Sequence, residues 1–409
     1  MSKELSFPKG KINILLLENI HRDAVELFKN DGFQVEYQKG ALSEDELIKI
    51  IPNIHILGIR SKTTVSAKVL EAANKLLAIG AFCIGTNQID LNTCNKKGIA
   101  VFNAPYSNTR SVVELALGEM ILLNRGIVTK SEGMHRGVWD KSAQNSFEIR
   151  NKTLGIIGYG HIGSQLSVLA ESIGMRVLFY DLEDKMPLGN AIACTHIDEV
   201  LQKSDIVTLH IDGRKDNFHF MDREKLQKMK EGAIFLNLSR GHVVDYEALK
   251  EYILNKKIIG AGIDVFPEEP STNDEAFQFC LQNIPNIILT PHIGGSTEEA
   301  QAAIGRFVPN KILQYINIGS TDGSVNLPQV QLPLQKNQHR ILHIHKNTSG
   351  MLAKINQIIA SHSVNITGQY LKTNEEIGYV IIDVENNYSD AFIEEIKTLE
   401  HTIKCRLLY

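Results

Sequence analysis

Residues 154–181 read LGIIGYGHIGSQLSVLAESIGMRVLFYD, and this stretch decides the fold. An apolar run, Leu154 to Ile157, feeds into Gly158-x-Gly160-x-x-Gly163. A helical pattern follows, then a second apolar run, Val177 to Tyr180, that ends on Asp181. Each part has a physical task. Gly158 permits a tight strand-to-helix turn, Gly160 lets a pyrophosphate approach the backbone, and Gly163 lets the helix pack close to the strand. The helix N-terminus then offers its N–H groups to phosphate. Asp181 falls 18 residues beyond Gly163 (181 − 163). A carboxylate there can accept hydrogen bonds from ribose hydroxyls and repels a 2′-phosphate, which favours NAD over NADP. A lone glycine motif is weak, but here strand, helix, second strand and acid stand in register.

Outward from this unit the chain alternates strands and helices. Before it, residues 12–17, 33–37, 54–59 and 76–79 read as strands, with helical patterns at 21–30, 44–51 and 66–73. That order predicts a parallel sheet with helices on both faces. A long apolar helix, about 111–124, leads into the glycine unit. After it, 206–210, 233–238, 260–265 and 287–289 read as strands, and a helix over about 297–316 carries the chain away from this second sheet. Segment 321–338, TDGSVNLPQVQLPLQKNQ, has prolines, few charges and little periodicity, so it reads as a linker. The pattern then resets: strand 340–345, helix 350–362, strands 364–371 and 378–385, helix 389–398, strand 402–407. This βαββαβ order is the ferredoxin-like plan. The expected fold class is therefore α/β, with two doubly wound parallel-sheet domains, one flavodoxin-like and one an inserted Rossmann domain, plus a small α+β domain. The expected boundaries are 1–107 with 297–330, the insertion 108–296, a linker 331–338 and the terminal domain 339–409.

Three short segments carry chemistry. In LNLSRGHVVD (236–245) a strand ends just before Arg240 and Gly241, where open α/β sheets bind ligands. An arginine fork there can clamp a carboxylate and polarise an adjacent carbonyl; the bland alternative is a surface arginine capping a helix. AGIDVFPEEP (261–270) brings Glu268 and Glu269 to another strand end, although paired glutamates are more often a solvated loop. In LTPHIGGST (289–297) His292 precedes Gly294-Gly295. Histidine is the natural proton carrier near neutrality, and alone it serves equally as a buried, hydrogen-bonded residue. Together the three supply a cation to orient substrate, a base for a hydroxyl proton and an acid to tune that base. Ionised Glu269 beside His292 favours the imidazolium and fixes its tautomer.

These segments resemble the D-isomer-specific 2-hydroxyacid dehydrogenase family, as do GTNQIDL (85–91) and FNAPYSNTRSVVE (102–114). The resemblance implies catalytic roles for Arg240, Glu269 and His292. It implies nucleotide contacts from Gly158, Gly160, His161, Ile162, Gly163, Asp181, Leu238, Ser239, Arg240, Asp264, His292, Ile293, Gly294 and Gly295. It also extends over the terminal domain, which resembles an ACT regulatory module. Members with that module oxidise 3-phosphoglycerate with NAD and are inhibited by L-serine. For a doubly anionic substrate, Arg60, Ser61 and Lys62 of GIRSKT (58–63) are the expected binding residues, with Asn108, Lys39 and Lys141. Lys141, in HRGVWDK (135–141), is expected to reach in from a neighbouring subunit of a homotetramer. Each lysine has surface solvation as its alternative. Serine is implied to bind residues matching His345, Asn347 and Asn365. Two departures from the family pattern stand out: Asn347-Thr348-Ser349-Gly350 lacks the usual arginine and proline, and HIDGRKDNFHF (210–220) replaces a proline-containing loop.

Composition sets the outer bounds. At 409 residues the chain holds several domains, and 43% hydrophobic with 22% charged residues is ordinary for a globular protein. A net charge of −4 gives no global pull towards nucleic acid or membrane surfaces. Five scattered cysteines without CxxC spacing argue against structural metal or disulfides and, with an N-terminus lacking a signal-peptide core, predict a cytoplasmic protein. Two other readings remain open: reduction of a different 2-oxo acid such as hydroxypyruvate, glyoxylate or 2-oxoglutarate, and a non-catalytic NAD sensor.

Overall fold

A computed structural model of the chain describes residues 8–270, 274–333, 338–385 and 387–408. Strands β1 (Asn13–Leu16), β2 (Gln34–Tyr37), β3 (Ile56–Ile59), β4 (Ala78–Ala81) and β5 (Ala100–Asn103) form a parallel sheet ordered β2-β1-β3-β4-β5. The order is flavodoxin-like, with its switch point between β1 and β3. Strands β3, β4 and β5 are buried on both faces and so read as unbroken apolar runs, whereas the edge strand β2 alternates. Helices α1 (Arg22–Asn30), α2 (Glu44–Ile50), α3 (Ala67–Ala72) and α4 (Leu91–Lys97) cover the faces. Polar caps start them: Ser43 and Glu46 form a reciprocal capping box on α2, and Ser66 and Asp90 cap α3 and α4.

Helices α5 (Thr109–Arg125) and α6 (Ile127–His135) precede the second sheet. It contains β6 (Thr153–Ile157), α7 (His161–Ser172), β7 (Arg176–Tyr180), β8 (Ile192–Ala193), α8 (Ile197–Lys203) and β9 (Ile206–Leu209). It continues through α9 (Arg223–Lys228), β10 (Ala233–Asn237), α10 (Tyr246–Leu254), β11 (Ile258–Ile263) and β12 (Ile287–Leu289). All pairings are parallel, in the order β12-β11-β10-β9-β6-β7-β8. The direction of winding reverses between β6 and β9, which is where a Rossmann sheet opens its ligand crevice.

The long helix α11 (Glu298–Ile318) brings Val308 and Ile312 against Gly80 of the first sheet. Then β13 (Gln338–Lys346), α12 (Met351–Ser361), β14 (Ile366–Thr373), β15 (Ile377–Glu385), α13 (Asp390–Thr398) and β16 (Thr402–Leu408) build an antiparallel sheet, β14-β15-β13-β16. One face of it carries α12 and α13 over Ile341, Val380 and Ile382. The other face, with Leu342, Ile344, Tyr379 and Ile381, joins the core of Phe102, Ile312 and Tyr315. By contacts the chain falls into two compact units, Met1–Ser107 with Gln301–Tyr409, and Asn108–Ala300. No helix among the described residues is long and apolar enough to cross a membrane.

The sequence-based boundaries hold for most strands and helices to within two residues, with some instructive differences. The apolar run that predicts a strand at 260–265 forms β11 two residues earlier, so Asp264 and Val265 leave the sheet and turn towards the following loop. Helix α4, in the polar stretch NTCNKK, and the short strand β5 that follows it are additions to the sequence-based reading. Segment 321–330 is packed rather than a free connector. Thr321, Ser324, Asn326, Leu327 and Val330 are buried. The Asn326 amide accepts from Val101 N–H at 2.8 Å and donates to Ile99 C=O at 2.9 Å, adding side-chain bonds to the antiparallel bridge between Ser324 and Phe102. Of the expected linker 331–338, residues 334–337 lie outside the described residues, and Gln338 already opens β13.

Candidate active site

The glycine turn after β6 is shaped by three different constraints. Gly158 has φ +93°, and a Cβ there would lie 2.5 Å from the His210 carbonyl oxygen at the end of β9. A Cβ at Gly163 would lie 2.2 Å from the Gly158 oxygen, so only glycine lets α7 sit this close to β6. A Cβ at Gly160 would meet nothing within 4 Å. The backbone at Gly160 is therefore open, and Gly160 caps α7 without a side-chain bond. That is a cradle a pyrophosphate fits, with the helix N-terminus at His161 and Ile162 beside it. Asp181, at the end of β7, accepts from Tyr159 N–H at 2.7 Å and Glu183 N–H at 3.0 Å. These bonds aim its carboxylate at the turn and leave lone pairs for ribose hydroxyls.

The SRG turn is built by a buried asparagine. Asn237 accepts from the Ser239 N–H and hydroxyl at 3.1 and 2.8 Å and donates to the Arg240 carbonyl at 2.9 Å. Leu238 and Ser239 are buried, and Arg240 is half-buried. A Cβ at Gly241 would lie 1.9 Å from the Phe266 carbonyl carbon, so this turn rests directly on the backbone of the FPEE turn. Glu269 accepts from Phe266 N–H at 3.1 Å through one oxygen. Its other oxygen meets His292 Nδ1 at 2.8 Å. With Nδ1 committed, Nε2 is the nitrogen that can exchange a proton with substrate. The Glu269 hydrogen bond raises the His292 pKa against the opposing effect of burial, aided by the charges of Glu269 and Asp264. Burial pushes the Glu269 carboxyl up, but the His292 bond and charge, the Phe266 N–H and Arg240 together hold it below the usual range.

Asp264 organises the loop that carries His292. It is buried and accepts from the Thr290 hydroxyl at 2.7 Å and from Ile293 and Gly294 N–H, each at 2.8 Å. Asn108, ahead of α5, presses its amide against Gly295, and its buried Oδ1 has no hydrogen-bond partner. Thus Arg240, Asp264, Glu269, His292, Ile293, Gly294, Gly295 and Asn108 belong to one loop cluster at the strand ends of the second sheet. The unusual loop after β9 lies beside Arg240, where a Cβ at Gly213 would be 3.1 Å from the Arg240 Cγ. Its Arg214 is paired with Asp212 at 2.8 Å, so most of the added positive charge is neutralised locally.

In the first unit, Arg60, Ser61 and Lys62 follow β3, at the switch point of that sheet. Their backbone is held by a residue that sequence reading missed. Glu18, buried after β1 with φ +60°, accepts from the N–H groups of Arg60, Lys62 and Thr63 at 3.1, 2.9 and 2.8 Å. The signal available was an acid directly after the apolar run ILLL. Gln88 Nε2 adds a 2.6 Å bond to the Arg60 carbonyl. Lys39 is exposed at the end of β2. Lys141 is exposed beyond α6, where it lines a cavity with Lys130, Asp140 and Phe147 rather than joining the His292 cluster of its own chain.

The three implied effector residues do not meet within one chain. His345 is buried, with Nδ1 3.2 Å from His343 Nδ1, and its ring lies flat on Gly378, where any Cβ would overlap it. Asn347 donates to Asn374 C=O at 2.7 Å. Asn365 donates to Glu385 at 2.9 Å. His345 pairs with Gly378 on β15, whereas Asn365 lies level with Glu385, seven residues along the same strand (385 − 378). Seven residues span about 23 Å. The turn itself survives its substitutions, because Gly350 supplies φ +85° ahead of α12.

Residues 117–294 match the NAD-binding domain of the D-isomer specific 2-hydroxyacid dehydrogenases, and residues 341–404 match the AHAS small subunit-like ACT domain. The chain is 48% identical over 410 residues to a D-3-phosphoglycerate dehydrogenase of Haemophilus influenzae, covering 100% of both. It is 49% identical to that of Dictyostelium discoideum, again covering 100% of both. A solved structure of a Thermus thermophilus protein, 28% identical, superposes with a TM-score of 0.67 over 75% of this chain and 97% of that one. The chain belongs to the D-isomer-specific 2-hydroxyacid dehydrogenase family, on the branch of its D-3-phosphoglycerate dehydrogenases.

Proposed function

We propose that this NAD-dependent enzyme oxidises 3-phospho-D-glycerate to 3-phosphooxypyruvate, the first step of L-serine synthesis, with L-serine as feedback inhibitor. The observation that carries the reading is the His292–Glu269 pair at 2.8 Å in one loop cluster with Arg240. Bound NAD supplies the hydride acceptor for the substrate C2 hydrogen. His292 Nε2 takes the C2 hydroxyl proton as the carbonyl forms, and Glu269 stabilises the resulting imidazolium. Arg240 holds the carboxylate and polarises the oxygen that becomes the carbonyl. The orphan Oδ1 of Asn108 is a ready acceptor for a substrate hydroxyl. Arg60 and Lys62, with Ser61, bind the phosphate, supported by Lys39 and by Lys141 from a neighbouring subunit. The intact base, acid and cation argue against a mere NAD sensor.

On this reading residues 1–107 with 297–330 bind substrate, 108–296 bind nucleotide and 339–409 regulate. The enzyme is a cytoplasmic homotetramer with two-fold symmetry. The test is NADH absorbance across a panel of 2-hydroxy acids, using the native protein and Arg60→Ala. Phosphoglycerate is expected to be the best substrate, and Arg60→Ala to raise its KM by roughly 10- to 100-fold, the worth of a charge-assisted contact, with KM for NAD unchanged. A better unphosphorylated substrate, or equal effects on both KM values, sinks the assignment.

A further inference from the structure

Glu119 lies on the buried face of α5 and is 1% exposed. Its carboxyl reaches β11 at Gly262, where an added Cβ would be 2.3 Å from Oε2, so the space exists only because that residue is glycine. Neither Oε1 nor Oε2 has a hydrogen-bond partner. Two residues along, just beyond the end of β11, stands Asp264, also 1% exposed. The two buried carboxyls are unequal. Asp264 accepts three hydrogen bonds from the His292 loop, and Glu119 accepts none. Where two acids share a dry site, the one with donors keeps the charge and the one without keeps the proton.

We propose that Glu119 is a positioning residue: a neutral acid that, by adding no charge beside Asp264, keeps Asp264 ionised and the 290–294 loop set for the nicotinamide end of the cofactor. The inference rests on the reading that this loop belongs to the nucleotide site. Asp264 is the charged group that bears on Glu119. On α5 itself Arg110, Glu114 and Arg125 are exposed, with Arg110 paired to Glu114. On α7, His161 is exposed and Glu171 accepts from Asn190 N–H. Strands β6, β10, β11 and β12 contain no titratable side chain where they cross beneath α5, except for the neighbouring Asp264 beyond β11. Arg240 and His292 act one step further out, on Asp264 and Glu269. Burial, with Asp264 adding to it, pushes Glu119 up to about 8. Above that pH a second buried negative charge appears. Its repulsion of Asp264 strains the carboxylate that the Ile293 and Gly294 N–H groups hold.

Two measurements test this. NADH fluorescence titrations from pH 6.5 to 9.5 are expected to show native affinity weakening above pH 8, by up to about tenfold per pH unit for one linked proton. In Glu119→Gln the amide stays neutral and that slope disappears. Parallel profiles in the two proteins overturn the positioning role. Thermal melting without cofactor reads the proton itself. The folded chain holds on Glu119 a proton that the unfolded chain releases between about 4.5 and about 8. Native stability therefore falls as pH rises through that window, and the variant lacks the fall. The Tm difference between variant and native should grow from pH 5 to 8 and then level. A pH-independent difference overturns the neutral acid, and Glu119→Leu gives the same reading should Glu119→Gln fold poorly. This second arm contains no NADH, so it judges Glu119 independently of whether the loop belongs to the nucleotide site.

Discussion

His292 has φ +54°, a left-handed backbone that a non-glycine residue adopts only when its surroundings fix it. The fixing bonds are local: its own N–H to Thr290 C=O at 2.9 Å, and its neighbours' N–H groups to Asp264. The ring is then fixed by Glu269, with direct consequences for pH dependence. On the proposed mechanism substrate oxidation needs neutral His292, so kcat/KM should rise with pH through the pKa of that residue. Glu269 raises this pKa, so Glu269→Gln should move the acid limb to lower pH, whereas His292→Ala should lower turnover by about 10²- to 10⁴-fold. Both are read from NADH production across pH 5.5 to 9, with NADH fluorescence checking that cofactor still binds. An acid limb unmoved in Glu269→Gln would remove the pair from the mechanism. The residue types at 240, 269 and 292 were legible in sequence. The commitment of Nδ1 rather than Nε2, and Asp264 as the loop's anchor, were not, because hydrogen-bond partners here come from segments 23 to 30 residues apart.

At the scale of elements, the strand–turn–helix of β6 and α7 makes its three glycines separable by experiment. Gly163 is a packing glycine: Gly163→Ala drives a Cβ into the Gly158 carbonyl and should lower stability by about 1–3 kcal/mol along with NADH affinity. Gly160 faces open space and has φ −78°, so Gly160→Ala should melt like the native protein yet lose NADH affinity by about tenfold or more, since the methyl takes the space a pyrophosphate needs. Melting curves with NADH titrations of both variants check this. Equal melting losses in the two would place the defect in the helix rather than in the phosphate cradle. The sequence read these elements well because apolar periodicity and glycine spacing are local properties. It read segment 321–330 as linker because its buried bonds are made by polar side chains to the distant strand β5.

Across the whole molecule, the C-terminal sheet is not hung on a linker alone. Arg340 on β13 and Asp383 on β15 form a fully buried pair, at 2.6 and 2.7 Å, and Arg340 also donates to the carbonyls of Ile318, Leu332 and Pro333. Tyr379 donates to Gly319 C=O at 2.6 Å beside it. A charge buried this way is held by its partner and would cost several kcal/mol if stranded, so the sheet is clamped to the end of α11. The proposed serine site has a different logic. Since His345 lies about 23 Å from Asn365 in one chain and Asn347, level with Glu376, lies farther still, a serine touching all three must sit between two copies. Calorimetry should find L-serine binding lost in both Asn347→Ala and Asn365→Ala. Assemblies mixed from the two variants should regain binding, because each mixed pair restores one intact site. No recovery would mean that these residues do not form a shared site. By itself the sequence determined the fold class and the nucleotide unit, and it singled out the residue types proposed for catalysis, since each is encoded in local periodicity or in a short motif. Tertiary structure alone decided the rest. Within 154–181 it showed why Gly158 and Gly163 are needed, by bringing the carbonyls of His210 and Gly158 to within a methyl's width of them. Elsewhere it joined Glu18 to Arg60 and seated Glu119 against Gly262, because burial and hydrogen bonding depend on which distant segments meet.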